Sequence, residues 1–354
     1  MANTNQMLLE IPDFQSMVDT RTHPLYTEDA VSELRDRLKT SKGDREKRYD
    51  EKTKGLLQIL ENESNQRKYL FHEQTLTKLN TLSEEMPNFK PVIDMVAGAV
   101  SLAQKRNKPV EMTPILVEGS AGIGKTHFAN RLSEILSVPF CSHDMASAQN
   151  VAALAGSDKH WANSEIGDVL NTLLTGDHLS PVFMLDELDK ASYGNNLGDP
   201  LSSLYGLLEP ENASSFRDRS FPIPVNARHI IWIATANDVS VRIPRPLLSR
   251  FSHIRVETPN PEQRRKLSKN FINERILKHK EETQESIHVE EEVIDVLSDF
   301  SPRKQKQCIE QMMNELARRD ARRLSMSLFP NSLFKFENEG GTSDIGVGFL
   351  GNVH

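Results

Sequence analysis

Cysteine is scarce. The chain has 354 residues and two cysteines, Cys141 and Cys308, which lie far apart. A disulfide framework and a cysteine-rich zinc site are excluded, and a reducing, cytoplasmic setting fits. Long apolar runs are missing too. No uncharged apolar stretch approaches the roughly 20 residues that span a bilayer, so a membrane-spanning helix is not expected. The opening residues, MANTNQMLLEIPDFQ, hold no basic stretch followed by an apolar core, so no secretory signal is expected either. Positive charge is not in excess: the net charge is -7, which argues against a protein that holds nucleic acid by bulk attraction. Hydrophobic residues make up 37% and charged residues 26%, a polar composition but not that of a disordered chain. The length allows about two or three domains and one sizeable core.

What is there changes along the chain. Residues 1–27 read as a polar tail. From Glu28 to Glu73 there are 11 acidic and 11 basic residues, dense in charge yet neutral. Val31, Leu34 and Leu38 keep helical spacing, as do Leu56, Ile59 and Leu60, and then Leu76, Leu79 and Leu82. Residues 28–88 therefore read as a charged helical arm, either simply solvated or a binding module. A helix is expected over about 92–104. From Ile115 onward strand and helix patterns alternate, with strands expected at 115–117, 139–142, 182–185, 229–234 and 253–257. Alternation of this kind predicts an α/β fold with a mostly parallel sheet and helices on both faces, over residues 89–260. Residues 261–325 read as purely helical, and 326–354 as an irregular, glycine-containing tail.

The strongest motif is Gly119-Ser120-Ala121-Gly122-Ile123-Gly124-Lys125-Thr126, a match to G-x-x-x-x-G-K-[ST] placed between an expected strand and an expected helix. Glycines let backbone N–H groups approach phosphate oxygens with no Cβ in the way. The following helix turns its positive end to the same oxygens. Lys125 adds a mobile charge for the β- and γ-phosphates of ATP, and Thr126 a hydroxyl for Mg²⁺. A second motif follows. Val182-Phe183-Met184-Leu185 is a buried strand, and Asp186-Glu187 stand at its C-terminal end, the edge where ligands bind in such sheets. Asp186 suits Mg²⁺ and Glu187 the attacking water. Asp189 and Lys190, next in line, read as a surface pair.

The stretch Pro181–Lys190, PVFMLDELDK, resembles the second nucleotide motif of AAA+ ATPases, most closely that of the ATPase module of Lon proteases. The likeness continues through Gly198–Asp218, Ile230–Asn237 and Ile243–Phe251 and takes in about residues 92–325. It looks closest to stand-alone bacterial ATPases that carry a Lon-like module without the protease. The P-loop NTPase fold with a small α-helical lid is what the resemblance implies, with ATP and Mg²⁺ between core and lid. It implies further roles. Asn237 takes the sensor 1 position, and Arg250, in LLSRF, the arginine finger that reaches a neighbouring subunit. Arg303, in SPR, looks like the lid arginine called sensor 2. Trp161 falls where the family places the aromatic of its first pore loop. It is followed by Ala162 and Asn163 instead of the usual glycine, so a packed core tryptophan is the other reading. Tyr193–Asp199 could form a second pore loop. Arg245 departs from the common pattern and reads as a surface or interface residue. A homo-oligomeric ring, most often a hexamer, follows from the finger. The expected activity is Mg²⁺-dependent ATP hydrolysis that remodels or unfolds a protein partner, without proteolysis, since no segment resembles the serine–lysine protease domain. A nucleic-acid motor or loader, or an ATP-controlled assembly switch, is the alternative.

Two other groups invite attention. Cys141, His143 and Asp144 are close in sequence, but one strand cannot supply four tetrahedral ligands, so they read as a strand edge. The basic run from Arg303 to Arg323 could face nucleic acid or could be a solvated lid helix. No aromatic is interleaved with those charges, so a stacking platform is lacking.

Overall fold

The computed structural model describes residues 21–40, parts of 54–60, 65–146, 152–157, 166–191, 201–221, 223–239 and 243–330. Their contacts divide into two units. The larger takes the described parts of 21–84, 89–119 and 125–256, and the smaller takes 85–88, 120–124 and 257–330.

In the larger unit the chain begins with β1 (Thr22–Pro24), then a helix over Glu28–Thr40 and β2 (Gln66–Lys68). β1 and β2 pair antiparallel, with Thr22 opposite Lys68. After a helix over Thr75–Glu85 and a short turn at Pro87–Phe89 comes the helix Lys90–Arg106. Proline sits in its first turn, and its end is marked by Asn107 in the left-handed region, a common stop for a helix. Its Val92, Ile93, Val96, Val100 and Ala103 are buried, the stripe expected of a helix laid against a core. The central sheet follows: β3 (Ile115–Glu118), β4 (Phe140–Asp144), β5 (Val182–Asp186), β6 (Ile231–Ala236) and β7 (Ser252–Arg255). All five expected strands are present, within two or three residues of their expected ends.

The sheet order is β4-β5-β6-β3-β7, and every neighbouring pair runs parallel. β3, β5 and β6 lie in the middle and are almost wholly buried, while the edge strands β4 and β7 carry only half-buried and exposed positions. A parallel strand covered on both faces needs an unbroken apolar run, and that is why Ile-Leu-Val, Val-Phe-Met-Leu and Ile-Trp-Ile-Ala stand where they do. The structure is an α/β P-loop NTPase sheet. β3, β5 and β6 all end at the same edge of this sheet, the edge where ligands bind in such folds.

The sequence reading of the N-terminal region needs correction. Residues 22–27 are not tail: Leu25 is fully buried and Tyr26 nearly so. Leu25 donates its N–H to the Asn65 carbonyl, and its own carbonyl accepts from Asn226 N–H. Ala30, Val31, Leu34, Leu57 and Leu60 share one buried cluster with Phe183 and Trp232 of the sheet. The described charges here, from Glu28 to Lys39 and at Lys54, are exposed, but the apolar stripe beside them is part of the core. The buried Arg67 explains the anchoring from β2. It donates to the carbonyls of Leu173 and Leu174 at 3.0 and 2.8 Å, placing a cation on the unpaired carbonyls of the helix Asp168–Thr175.

The smaller unit holds the helix Pro261–Thr283, opened by a capping box between Asn260 and Gln263, and the helices Glu291–Ser298 and Pro302–Arg318. Their inward faces bury Ile272, Val293, Leu297, Cys308, Met312 and Leu316. The expectation of a purely helical segment misses one detail. β8 (His288–Val289) and β9 (Arg323–Leu324) form a short parallel pair, which joins the segment between the first and second helices to the segment after the third.

Candidate functional site

The phosphate-loop motif has the backbone its glycines were expected to allow. Gly122 and Gly124 have φ of 81° and 103°, a region that costs a residue with a Cβ and costs glycine nothing. At the loop's start, Gly119 N–H donates to the Ala236 carbonyl at 3.1 Å, tying it to the end of β6. At its end the helix Lys125–Leu136 begins.

Lys125 is half-buried. Its Nζ donates to the Gly119 carbonyl at 2.6 Å and to Asn237 Oδ1 at 2.9 Å. Burial pulls its pKa below the ordinary lysine value, although Asp186, Asp189 and Glu187 all act to raise it. A partly desolvated ammonium held by neutral acceptors is ready to exchange them for anionic oxygen. Thr126 Oγ1 donates to Asp186 Oδ2 at 3.2 Å. The other carboxylate oxygen, Asp186 Oδ1, accepts from Thr235 Oγ1 at 2.5 Å. Lys125, Thr126, Asp186 and Asn237, widely separated in sequence, thus meet at the C-terminal edge of β3, β5 and β6.

Glu187 stands just past β5 in a left-handed conformation, φ 54° and ψ 47°. A non-glycine residue there costs on the order of 1–3 kcal/mol and persists only when its surroundings hold it. Two contacts do so. Glu187 N–H donates to Thr235 Oγ1 at 3.0 Å, and its carboxylate pairs with Lys190 Nζ at 2.6 Å. The reading of Asp189 and Lys190 as a surface pair is therefore corrected. Lys190 belongs to Glu187. Asp189 Oδ2 accepts the backbone N–H groups of Asn237 and Asp238 at 3.1 and 3.3 Å, so it fixes the turn that presents Asn237.

Thr235 is the residue sequence reasoning passed over. It is fully buried and connects Asp186 to Glu187 through one hydroxyl. The signal was a threonine in the otherwise apolar strand Ile231–Ala236, two residues before Asn237. Asp218 was passed over as well. It is buried and accepts from Gly167 N–H at 2.8 Å, Ser220 N–H at 2.8 Å and Ser220 Oγ at 2.6 Å. Burial raises its pKa against those hydrogen bonds. A Cβ on Gly156, at φ 79°, would stand 2.0 Å from Asp218 Oδ1, so only glycine fits beside this carboxylate.

Arg250 follows the short helix Arg245–Leu248 and is partly exposed, its Nε 2.9 Å from Glu209 Oε2. Arg245 is exposed. Arg303 lies on the helix Pro302–Arg318 of the smaller unit, which also holds 120–124. A Cβ placed on Gly122 would stand 3.4 Å from Arg303 Cβ. Trp161 and Tyr193–Asp199 fall outside the described residues. Among the described residues no group of three or more His, Cys, Asp or Glu could hold a metal. His143 instead pairs with Asp168 at 3.2 Å, and burial pushes the Cys141 thiol up to about 11. The basic run at the end of the smaller unit is largely neutralised: Glu315 pairs with Arg318 and Arg319, Glu285 with Arg322 and Glu290 with Arg323.

A phosphate loop after β3 of a parallel sheet, with an aspartate at the end of β5 on the far side of β6, defines a P-loop NTPase site. Residues 115–258 match the family model described as "ATPase family associated with various cellular activities (AAA)". Among curated proteins, the chain is 29% identical to the Lon protease of Helicobacter pylori (strain ATCC 700392 / 26695) over 187 residues, 51% of this chain and 22% of that protein. It is 28% identical to the Lon protease of Campylobacter jejuni over 222 residues, 62% of this chain and 28% of that protein. It is also 28% identical to the mitochondrial Lon protease homolog of Kluyveromyces lactis over 192 residues, 54% of this chain and 17% of that protein. The matches thus take in between about a sixth and a little over a quarter of those relatives' own length. Among solved structures, the RuvB Holliday junction branch migration motor of Thermotoga maritima aligns with a TM-score of 0.42 and 14% identity, over 73% of this chain and 67% of that one. The matched part of the chain is an AAA+ ATPase module related to that of Lon.

Proposed function

We propose that the chain is the subunit of an ATP-hydrolysing, homo-oligomeric AAA+ ring, a hexamer, that remodels or unfolds a protein partner and has no proteolytic step. One observation carries the reading: Lys125, Thr126, Asp186 and Asn237 meet at the end of a glycine-built phosphate loop. The paired oxygens of Thr126 and Asp186 are the hard donors that suit Mg²⁺. Bound ATP and Mg²⁺ supply the phosphoanhydride and neutralise its charge.

The protein's own groups do the rest. Lys125 leaves the Gly119 carbonyl for a phosphate oxygen. Asn237, fixed by Asp189, orients the γ-phosphate or the attacking water. Glu187 accepts the water's proton once its pair with Lys190 opens. Arg250 of the adjoining subunit stabilises the developing charge. The smaller unit serves as the lid, with Arg303 on the nucleotide, and Trp161 grips the partner polypeptide. The neutralised arginines of 318–323 and the net charge of -7 favour a protein partner over nucleic acid.

ATP turnover with unfolded casein, and separately with DNA, tests this. Glu187→Gln is expected to bind ATP as the parent does and to lose turnover. Stimulation by casein, abolished in Trp161→Ala, supports remodelling. Stimulation by DNA alone, with a steep salt dependence, contradicts it.

A further inference from the structure

Arg250 is a long, rotamer-rich side chain, and a partly exposed one usually wanders. Here three contacts hold it. Nε forms an ion pair with Glu209 Oε2 at 2.9 Å, although its N–H makes no hydrogen bond. Nη1 donates to the Pro246 carbonyl at 2.5 Å. The guanidinium carbon stands 5.3 Å from the centre of the Tyr205 ring, within range of a cation–π contact. The mount for two of these partners is rigid. Tyr205 belongs to the helix Leu204–Leu207, and Glu209 is the extended residue that leads into the helix Pro210–Ala213. Glu209 N–H donates to the Gly206 carbonyl, and the Glu209 carbonyl accepts from Ala213 N–H. Leu204, Leu207, Leu208 and Ala213 around it are all buried. Arg250 itself is not sealed in: 27% of its side chain remains exposed, on the wall of a cavity of about 370 Å³ that Glu111, Glu209 and Arg228 also line.

We propose that Glu209 and Tyr205 are positioning residues that set the Arg250 guanidinium in the orientation it needs at the neighbouring subunit's phosphate. The Glu209 charge draws in the Nε edge, the tyrosine ring sets the plane, and the Pro246 carbonyl closes the turn. The inference rests on the finger role proposed for Arg250. The alternative use of the same pair, in which Glu209 holds the arginine away from its work, predicts the opposite effect of removing the carboxylate.

The test is a double-mutant cycle on ATP turnover in the assembled protein, with Glu209→Ala, Glu209→Gln, Arg250→Ala and the Glu209→Ala/Arg250→Ala pair. A misplaced catalytic group can cost about 10²-fold in rate. Glu209→Ala is therefore expected to lower kcat by roughly 10- to 100-fold with the KM for ATP unchanged, because each subunit's own phosphate loop is intact. Glu209→Gln, which keeps the shape and an acceptor oxygen, recovers part of that loss. In the Arg250→Ala background, Glu209→Ala changes nothing further, since a residue that acts only through Arg250 has nothing left to position. Parental or higher kcat in Glu209→Ala, or additive losses in the pair, overturns the inference while leaving the finger intact. Parental kcat in Arg250→Ala is a different failure: it removes the finger role, and this inference with it.

Discussion

Asp186 uses its two oxygens for two partners, Thr126 on one side and Thr235 on the other. The second partner sets the direction of the first. Replacing Thr235 with valine keeps the branched shape that β6 packs and deletes one oxygen. That leaves an Asp186 oxygen and the Glu187 N–H without their partner, a loss on the order of 1.5–3 kcal/mol for a hydrogen bond to a charged group. The expected outcome is a fall in kcat of about tenfold or more, with far-ultraviolet circular dichroism unchanged. Parental kcat in Thr235→Val would show that Asp186 needs no orienting hydroxyl. Legibility at this scale followed chemistry. Lys125, Thr126, Asp186, Glu187 and Asn237 were readable because a phosphate site needs those residue types at those strand ends. Thr235 and Asp189 were not, because a buried threonine and a short-range carboxylate look like ordinary strand and turn residues until their partners are known.

Among the elements, β2 and the segment after β5's preceding helix form a unit that the sequence did not announce. Lys68 N–H donates to the Asp177 carbonyl, and Leu179 N–H donates back to Lys68. His178 sits between them, buried, 5.0 Å from the Phe71 ring. Its Nδ1 accepts from Ser180 N–H at 3.1 Å, so the neutral ring is the one that fits. Burial lowers its pKa from 6.5 to about 4. The folded value is depressed, so the stability tied to the neutral ring is fully present above about pH 6.5 and is lost as the pH falls from there towards 4. The shift corresponds to about 3 kcal/mol at most. Chemical denaturation of the parent and of His178→Phe between pH 7 and pH 4 measures it. The parent is expected to lose stability over that window more steeply than the variant, and parallel slopes contradict the assignment. The five sheet strands were legible because central parallel strands must be continuously apolar. β1, β2, β8 and β9 were not, being two or three residues long and set by long-range pairing. The dense charge of residues 28–60 hid an apolar stripe that belongs to the core.

Across the whole molecule, the fold class was readable from the alternation of strand and helix, and the phosphate loop located the site on it. The membership of Leu25, Val31, Leu34, Leu57 and Leu60 in the core of the larger unit was not readable, because the β2 residue Arg67 that anchors this region finds its carbonyl partners 106 and 107 residues away. No helix among the described residues is long and apolar enough to cross a membrane. The proposed cycle has one absolute requirement, a cation at position 125 beside a glycine-built turn. The direct test is ATP turnover and equilibrium ATP binding by Lys125→Ala against the parent, in the presence of Mg²⁺. The account predicts that turnover falls by at least about 10²-fold and that binding weakens. Turnover at the parental rate would contradict it.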